Sequence, residues 1–201
     1  MITLSSVTDV ACVQGKQCFR FKTVVSQIKH MFDDSNRGRV LERIFLEPGR
    51  EFYLRELAEE VDLAPSTVSR IVDELEEEEL VEVERDLKMS ITGSRTDRFL
   101  DVKRSFNLGK LAESGLIDRI EEKTVPEAVV LFGSYAKGED TDESDIDIAV
   151  VNGREEAIDL ESFEIELERR INIQYVETNK ISENFLESLA NGITLRGYLE
   201  V

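Results

Sequence analysis

No stretch of this chain approaches the length needed to cross a bilayer as a helix, so a helical membrane protein is not expected. The first ten residues carry no basic region followed by a long apolar run, which argues against a secretory leader. Cysteine is scarce: Cys12 and Cys18 are too few for a disulfide framework, and reduced thiols in a cytoplasmic protein are the expectation. The one histidine, His30, together with those cysteines falls short of a four-ligand zinc site. There is no internal repeat and no low-complexity linker. Bases are also short, 25 Lys and Arg against 43 Asp and Glu, for a net charge of −18. Such a charge favours solubility and disfavours loose association with nucleic acid. It is also the kind of composition seen in salt-adapted proteins. What is present is enough for one or two domains: 201 residues, 41% of them hydrophobic.

The charge is uneven. Residues 125–201 hold 18 acids and 6 bases, whereas residues 85–104 hold 6 bases (Arg85, Lys88, Arg95, Arg98, Lys103 and Arg104) and 3 acids. Inside the acidic half, the run Val129-Val130-Leu131-Phe132 reads as a buried strand ending at a Gly133-Ser134 turn. Ten residues later Asp145-Ile146-Asp147-Ile148-Ala149-Val150 reads as a second strand. Alternation puts Asp145 and Asp147 on one face, with Ile146 and Ile148 in the core. Neighbouring carboxylates repel unless a cation lies between them, and Mg²⁺ commonly takes one or two carboxylates plus substrate phosphates. The Gly-Ser turn can offer backbone N–H groups to a phosphate tail. A metal–nucleotide site is the chemistry that this pattern proposes.

The motif Gly133-Ser134-x10-Asp145-x-Asp147 resembles the signature of the DNA polymerase beta nucleotidyltransferase superfamily, in its minimal, antitoxin-like branch. The resemblance implies that Gly133 and Ser134 hold the triphosphate, that Asp145 and Asp147 are catalytic and bind Mg²⁺ (or Mn²⁺), and that an NTP is substrate or ligand. Lys137 either reaches the triphosphate or is a solvated surface lysine. Ser144 either orients Asp145 or closes a turn. Active members supply a third carboxylate from a later strand. The matching strand here is Ile171-Asn172-Ile173-Gln174-Tyr175-Val176, and parity puts Asn172 at that position. An amide is neutral and cannot act as a base. A related group of winged-helix proteins carrying this domain shares that Asn, and the ending Asn191-Gly192-Ile193 … Leu195-Arg196-Gly197-Tyr198-Leu199 resembles it. Arg169 and Arg170 either contact phosphate or, the favoured expectation, form salt bridges with the many nearby glutamates.

In the other half, Val40, Leu41, Ile44 and Phe45 have helical spacing, as do Leu54, Leu57, Ala58 and Val61. A turn at Asp62-Leu63-Ala64 leads to Pro65, which suits a first helical turn, and to the stripe Val68, Ile71, Val72, Leu75. Two short helices joined by a tight turn read as helix-turn-helix. The stretch Ala64-Pro65-Ser66-Thr67-Val68-Ser69-Arg70 resembles winged-helix regulators of the MarR-like and ArsR-like groups. That resemblance implies a second helix offering Ser66, Thr67, Ser69 and Arg70 to a DNA major groove, and a wing whose Arg85, Lys88, Arg95 and Arg98 meet phosphates. The wing is expected from Val81-x-Val83, a Gly93-Ser94 turn and Phe99-x-Asp101-Val102. Six acids in residues 73–79 oppose DNA unless they point away from it.

The expected fold is α/β and α+β: an N-terminal winged helix-turn-helix and a C-terminal nucleotidyltransferase-fold domain with a mixed sheet flanked by helices. The expected divisions are residues 1–35 (an extension with a hairpin), 36–105 (winged helix), 106–125 (a connecting helix) and 126–201 (nucleotidyltransferase-like). Helices are expected over residues 155–170 and 183–190, and a last strand over 197–201. Three functions stay open: transfer of NMP from NTP to a hydroxyl; a DNA-binding transcriptional regulator with a degenerate, nucleotide-sensing domain; and an antitoxin-like protein with a toxin as partner. The expected partners are DNA, an NTP, a toxin or acceptor protein and a second copy in a homodimer, with no membrane.

Overall fold

The computed structural model describes residues 35–199. The hairpin expected near residues 10–21, both cysteines and His30 lie outside the described residues. The order is α1 (Asn36–Leu46), β1 (Phe52–Tyr53), α2 (Leu54–Glu60), α3 (Pro65–Glu77), β2 (Val81–Arg85) and β3 (Met89–Gly93) in the first half. There follow α4 (Asp97–Glu113), α5 (Leu116–Thr124), β4 (Ala128–Phe132), α6 (Gly133–Lys137), β5 (Ile146–Val151), α7 (Glu161–Leu167), β6 (Ile171–Val176), α8 (Glu183–Ala190) and β7 (Ile193–Gly197).

The first core forms because α1, α2 and α3 each turn one apolar stripe inward. Val40, Ile44, Leu57, Val68, Val72 and Leu75 are fully buried there. Pro65 starts α3 as expected. The wing differs from the expectation. Its strands are β2 and β3, paired from Val81↔Gly93 to Arg85↔Met89, and β1 adds a third strand to β3. Phe99 to Val102 is helical instead of extended. Thr96 caps the helix by accepting from the Phe99 amide, and Asp97 follows in the first turn.

Helix α4 therefore begins well before the expected connecting helix, and it crosses the expected boundary at residue 105. Phe99 and Phe106 pack on Phe45, with ring centroids at 5.2 and 5.4 Å. Five residues past Phe106, Leu111 belongs to the second core. The connecting element is two helices, not one, because Gly115 takes a left-handed φ of 75° that ends α4 and starts α5.

The second sheet has strand order β6-β5-β4-β7. β4 pairs antiparallel with β5 and β7, and β5 pairs parallel with β6, so the sheet is mixed. Both faces are covered, which explains the near-continuous apolar runs of β4 and β5. Ile146, Ile148, Val129 and Leu131 face α5 and α7, while Ala149, Val130 and Phe132 face α8. The helix expected over residues 155–170 is confined to α7, residues 161–167. The preceding chain is tied to β6, where the Tyr175 hydroxyl donates to the Glu156 carbonyl at 2.6 Å. Among the described residues the last strand is β7, which ends at Gly197; residues 200 and 201 of the strand expected over 197–201 lie outside them.

Candidate nucleotide site and winged-helix surface

At the end of β4 the chain bends at Gly133, whose φ is +77°. A Cβ there would stand 2.5 Å from Asp147 Oδ2. Glycine is required twice over, by the backbone conformation and by the close approach of the carboxylate. Register explains the meeting: Phe132 pairs with Asp147 on one side, and Asp147 pairs with Asn172 on the other. The Asn172 amide donates to Asp147 Oδ1 at 3.0 Å. The structure thus brings Gly133, Asp147 and Asn172 together.

Asp145 lies just before β5 and is exposed. It lines an open cleft of about 580 Å³, together with Glu161, Glu164, Glu168 and Arg170. Ser134 is half-buried and Lys137 is exposed. The Lys137 carbonyl accepts from Arg104. Ser144 closes a turn: its Oγ accepts from the Thr141 amide at 2.9 Å. Among the described residues no group of three His, Cys, Asp or Glu is placed to hold a metal. Asp147, already accepting from the Asn172 amide, is not among the residues that line the cleft of Asp145. Two carboxylates with phosphate oxygens are the kind of donor set that a divalent ion such as Mg²⁺ takes, and Asn172 stands where a further carboxylate would be.

On the winged helix, Ser66 and Arg70 are exposed near the start of α3, and Thr67 and Ser69 are half-buried. The acids of residues 73–79 are largely engaged within the molecule. Arg70 pairs with Glu74 at 2.6 Å, and Arg85 reaches from β2 to Asp73 at 3.0 Å and to Glu76. Arg37 pairs with Glu78 at 2.9 Å, and Arg98 donates to the Glu78 carbonyl at 2.9 Å. Hydrogen bonds from Arg85 and from Arg37 hold the Glu76 and Glu78 carboxyls below their ordinary range. Lys88 stands over the Tyr53 ring at 5.3 Å, and Arg95 is exposed.

Lys103, the fifth base of the island, is absent from that surface. It is fully buried. Its ammonium pairs with Asp140 Oδ2 at 3.2 Å and donates to the Asp140 carbonyl. Asn107 donates to Asp140 Oδ1 at 2.7 Å and to the Tyr135 carbonyl at 3.0 Å. Arg169 is buried beside them, with Nη2 3.9 Å from Asp140 Oδ2 and 2.8 Å from the Leu46 carbonyl. Its ion-pair partner is thus Asp140 and not the expected glutamates of α7. Burial pushes the Lys103 amine below the ordinary lysine range, and Asp140 offsets part of that. A helix expected only from residue 106 leaves Lys103 outside it, so the sequence pattern does not show this polar cluster. With the start at Thr96, Lys103 and Asn107 fall on the same stripe as Phe99 and Phe106, and a lysine in such a stripe calls for a buried partner.

Residues 36–88 match the MarR family model, and residues 115–196 match the polymerase beta, nucleotidyltransferase model. The chain joins a MarR-type winged helix to a nucleotidyltransferase-like domain. Among solved structures, MepR, a transcription regulator of the Staphylococcus aureus multidrug efflux pump MepA, is 16% identical with a TM-score of 0.38, covering 49% of this chain and 73% of that one. The S. aureus MepR–DNA complex is 18% identical with a TM-score of 0.38, covering 50% and 83%. No curated protein matched the chain. No helix among the described residues is long and apolar enough to cross a membrane.

Proposed function

We propose that the protein is a DNA-binding regulator whose nucleotidyltransferase-like domain holds a nucleoside triphosphate as a signal. The observation that carries this reading is the hydrogen bond from the Asn172 amide to Asp147 Oδ1. Where a transferase needs a carboxylate, the chain has a neutral donor that occupies one of the two remaining acids. Asp145 and Asp147 would hold a divalent ion, whose contribution is to neutralise the phosphates. Gly133 and Ser134 would hold the phosphate tail through backbone N–H groups at the bend, and Lys137 is within the same turn. Ser66, Thr67, Ser69 and Arg70 would face the major groove, with Arg85, Lys88, Arg95 and Arg98 on phosphates. Arg37, Arg70, Arg85 and Arg98 engage four of the six acids of residues 73–79 internally, which offsets part of their repulsion of DNA, and Arg70, Arg85 and Arg98 would exchange those partners for DNA on binding.

Three measurements test the proposal on the full chain. Titration of labelled upstream DNA with and without NTP·Mg²⁺ should give different affinities. Calorimetry should show NTP binding that is lost in Asp145→Ala/Asp147→Ala. Incubation with labelled NTPs and hydroxyl acceptors should leave no label on any acceptor. Label transfer that disappears in the double variant would instead establish NMP transfer as the function.

A further inference from the structure

One helix touches both halves of the molecule at the places that matter. At its N-terminal end, Thr96 Oγ1 donates to the Glu79 carbonyl at 2.9 Å and Arg98 to the Glu78 carbonyl at 2.9 Å. Those carbonyls close the C-terminal end of α3, the helix that would read DNA. One to three turns later, α4 grips the turn that follows Gly133 and Ser134. Asn107 holds the Tyr135 carbonyl, Arg104 reaches the Lys137 carbonyl at 3.4 Å, and Gly138 lies against the backbone of Leu100 and Arg104. The contacts fall between Thr96 and Asn107, so the part of α4 that joins the two is a rigid rod of about 17 Å.

The joint on the nucleotide side is ionic and dry. Lys103, Asp140 and Arg169 are each more than nine-tenths buried. Arg169 extends the joint to the Leu46 carbonyl at the end of α1. The joint is not saturated. Arg169 Nε is buried with no hydrogen-bond partner among the described residues, and a void of about 10 Å³ adjoins Leu46, Asn107, Asp140 and Arg169. An incompletely satisfied polar cluster beside a void is where a packed interface has room for a second arrangement.

We propose that α4 is the rod through which occupancy of the Gly133–Ser134 bend resets the recognition helix α3, with the Lys103–Asp140–Arg169 cluster as its joint. This rests on the reading of the bend as a nucleotide site. A phosphate drawn to the bend moves α6, which is bonded to α4 at three points. A helix carried along by 1 Å or so shifts Arg98 and Thr96 against the end of α3. DNA binding, working backwards through the same contacts, must alter nucleotide affinity by the same factor.

The test uses the full chain, a fluorescein-labelled duplex from the DNA flanking its gene, and ATP, CTP, GTP and UTP with Mg²⁺. In the wild type, the effective nucleotide changes the DNA Kd by about 5-fold or more, and the duplex changes the nucleotide Kd by an equal factor. Asp140→Asn keeps an acceptor for Asn107 and the carbonyl for Lys103 but removes the charge. It should bring both factors to within about twofold of unity, far below the coupling range of 5- to 150-fold. Arg98→Ala, at the other end of the rod, should do the same whatever it does to DNA affinity itself, and it is exposed enough to leave folding intact. If Asp140→Asn does not fold, Arg98→Ala decides alone. Wild-type coupling that persists undiminished in the folded variants overturns the rod and leaves the sensor standing. Absence of nucleotide binding in the wild type overturns the sensor reading itself.

Discussion

Lys103→Met should be among the most damaging single substitutions in the chain. Methionine keeps the length of the side chain and removes the ammonium. Asp140, 1% exposed, then retains Asn107 at 2.7 Å and Arg169 at 3.9 Å but loses its nearest cation. Removing one partner of a buried ion pair commonly costs about 3–5 kcal/mol, because the other charge is left uncompensated. Arg169 keeps the expected loss near the lower end, about 3 kcal/mol. For a chain of this size that corresponds to a fall in Tm of about 6–12 °C. Urea titration and thermal melting followed by circular dichroism measure both. Lys110→Met is the comparison, since Lys110 and Glu42 also pair, at 2.9 Å, but with 34% and 41% of their side chains exposed. Breaking that pair should cost less than about 1 kcal/mol. Adding Asp140→Asn to Lys103→Met should recover part of the loss, with a coupling energy above about 0.5 kcal/mol. Equal effects of Lys103→Met and Lys110→Met would refute the reasoning, for burial would then not be what sets the cost.

Three further predictions follow from the same geometry. Asn172→Asp replaces a donor with a second carboxylate beside Asp147, so like-charge repulsion should lower Tm in chelator and Mg²⁺ should raise it more than in the wild type; equal Mg²⁺ responses in calorimetry and melting would show that position 172 does not face the site. Gly133→Ala meets both a φ of +77° and the Asp147 carboxylate, and should cost about 1–3 kcal/mol in denaturant titrations and abolish nucleotide binding, whereas full binding by a folded variant would remove the bend from the site. The Glu76 and Glu78 carboxyls are depressed on folding, so the stability they confer is present above their ordinary value of 4.5 and is lost as pH falls through the lower folded value. Melts from pH 7 to pH 3 should show that loss, and Arg85→Ala should reduce it; an unchanged acid limb in Arg85→Ala would show that the Arg85 bridges are not populated in solution.

Much of the site was legible because a strand fixes it locally. Alternation put Asp145 and Asp147 on one face of their strand and Ile146 and Ile148 in the core, the resemblance pointed to Asn172, and parallel pairing of β5 with β6 places Asp147 opposite Asn172. Pro65 and the stripe of α3 likewise announced the helix-turn-helix. The wing was misplaced because Phe99-Leu100-Asp101-Val102 has the apolar content of a strand, while the deciding signal was one hydroxyl, the cap at Thr96. The helix expected over residues 155–170 failed for another reason. Its first half has apolar residues at usable spacing, but Ile158 and Leu160 pack directly on the second core and Glu156 is held by Tyr175. Tertiary contact outweighed propensity there.

The strands β4, β5 and β6, the bend at Gly133 and the stripe of α3 follow from local pattern in the sequence, since each depends on periodicity or spacing within one element, while the two folds and the role of position 172 came from resemblance to known families. The tertiary structure decided where the charges end. Lys103 and Arg169 lie 66 positions apart in number and join on Asp140 out of water, while Arg85, from the same basic island as Lys103, returns to the surface of α3. A charge carries no periodicity of its own. Its role is set by the dielectric and the partner around it, and only the packed chain supplies those.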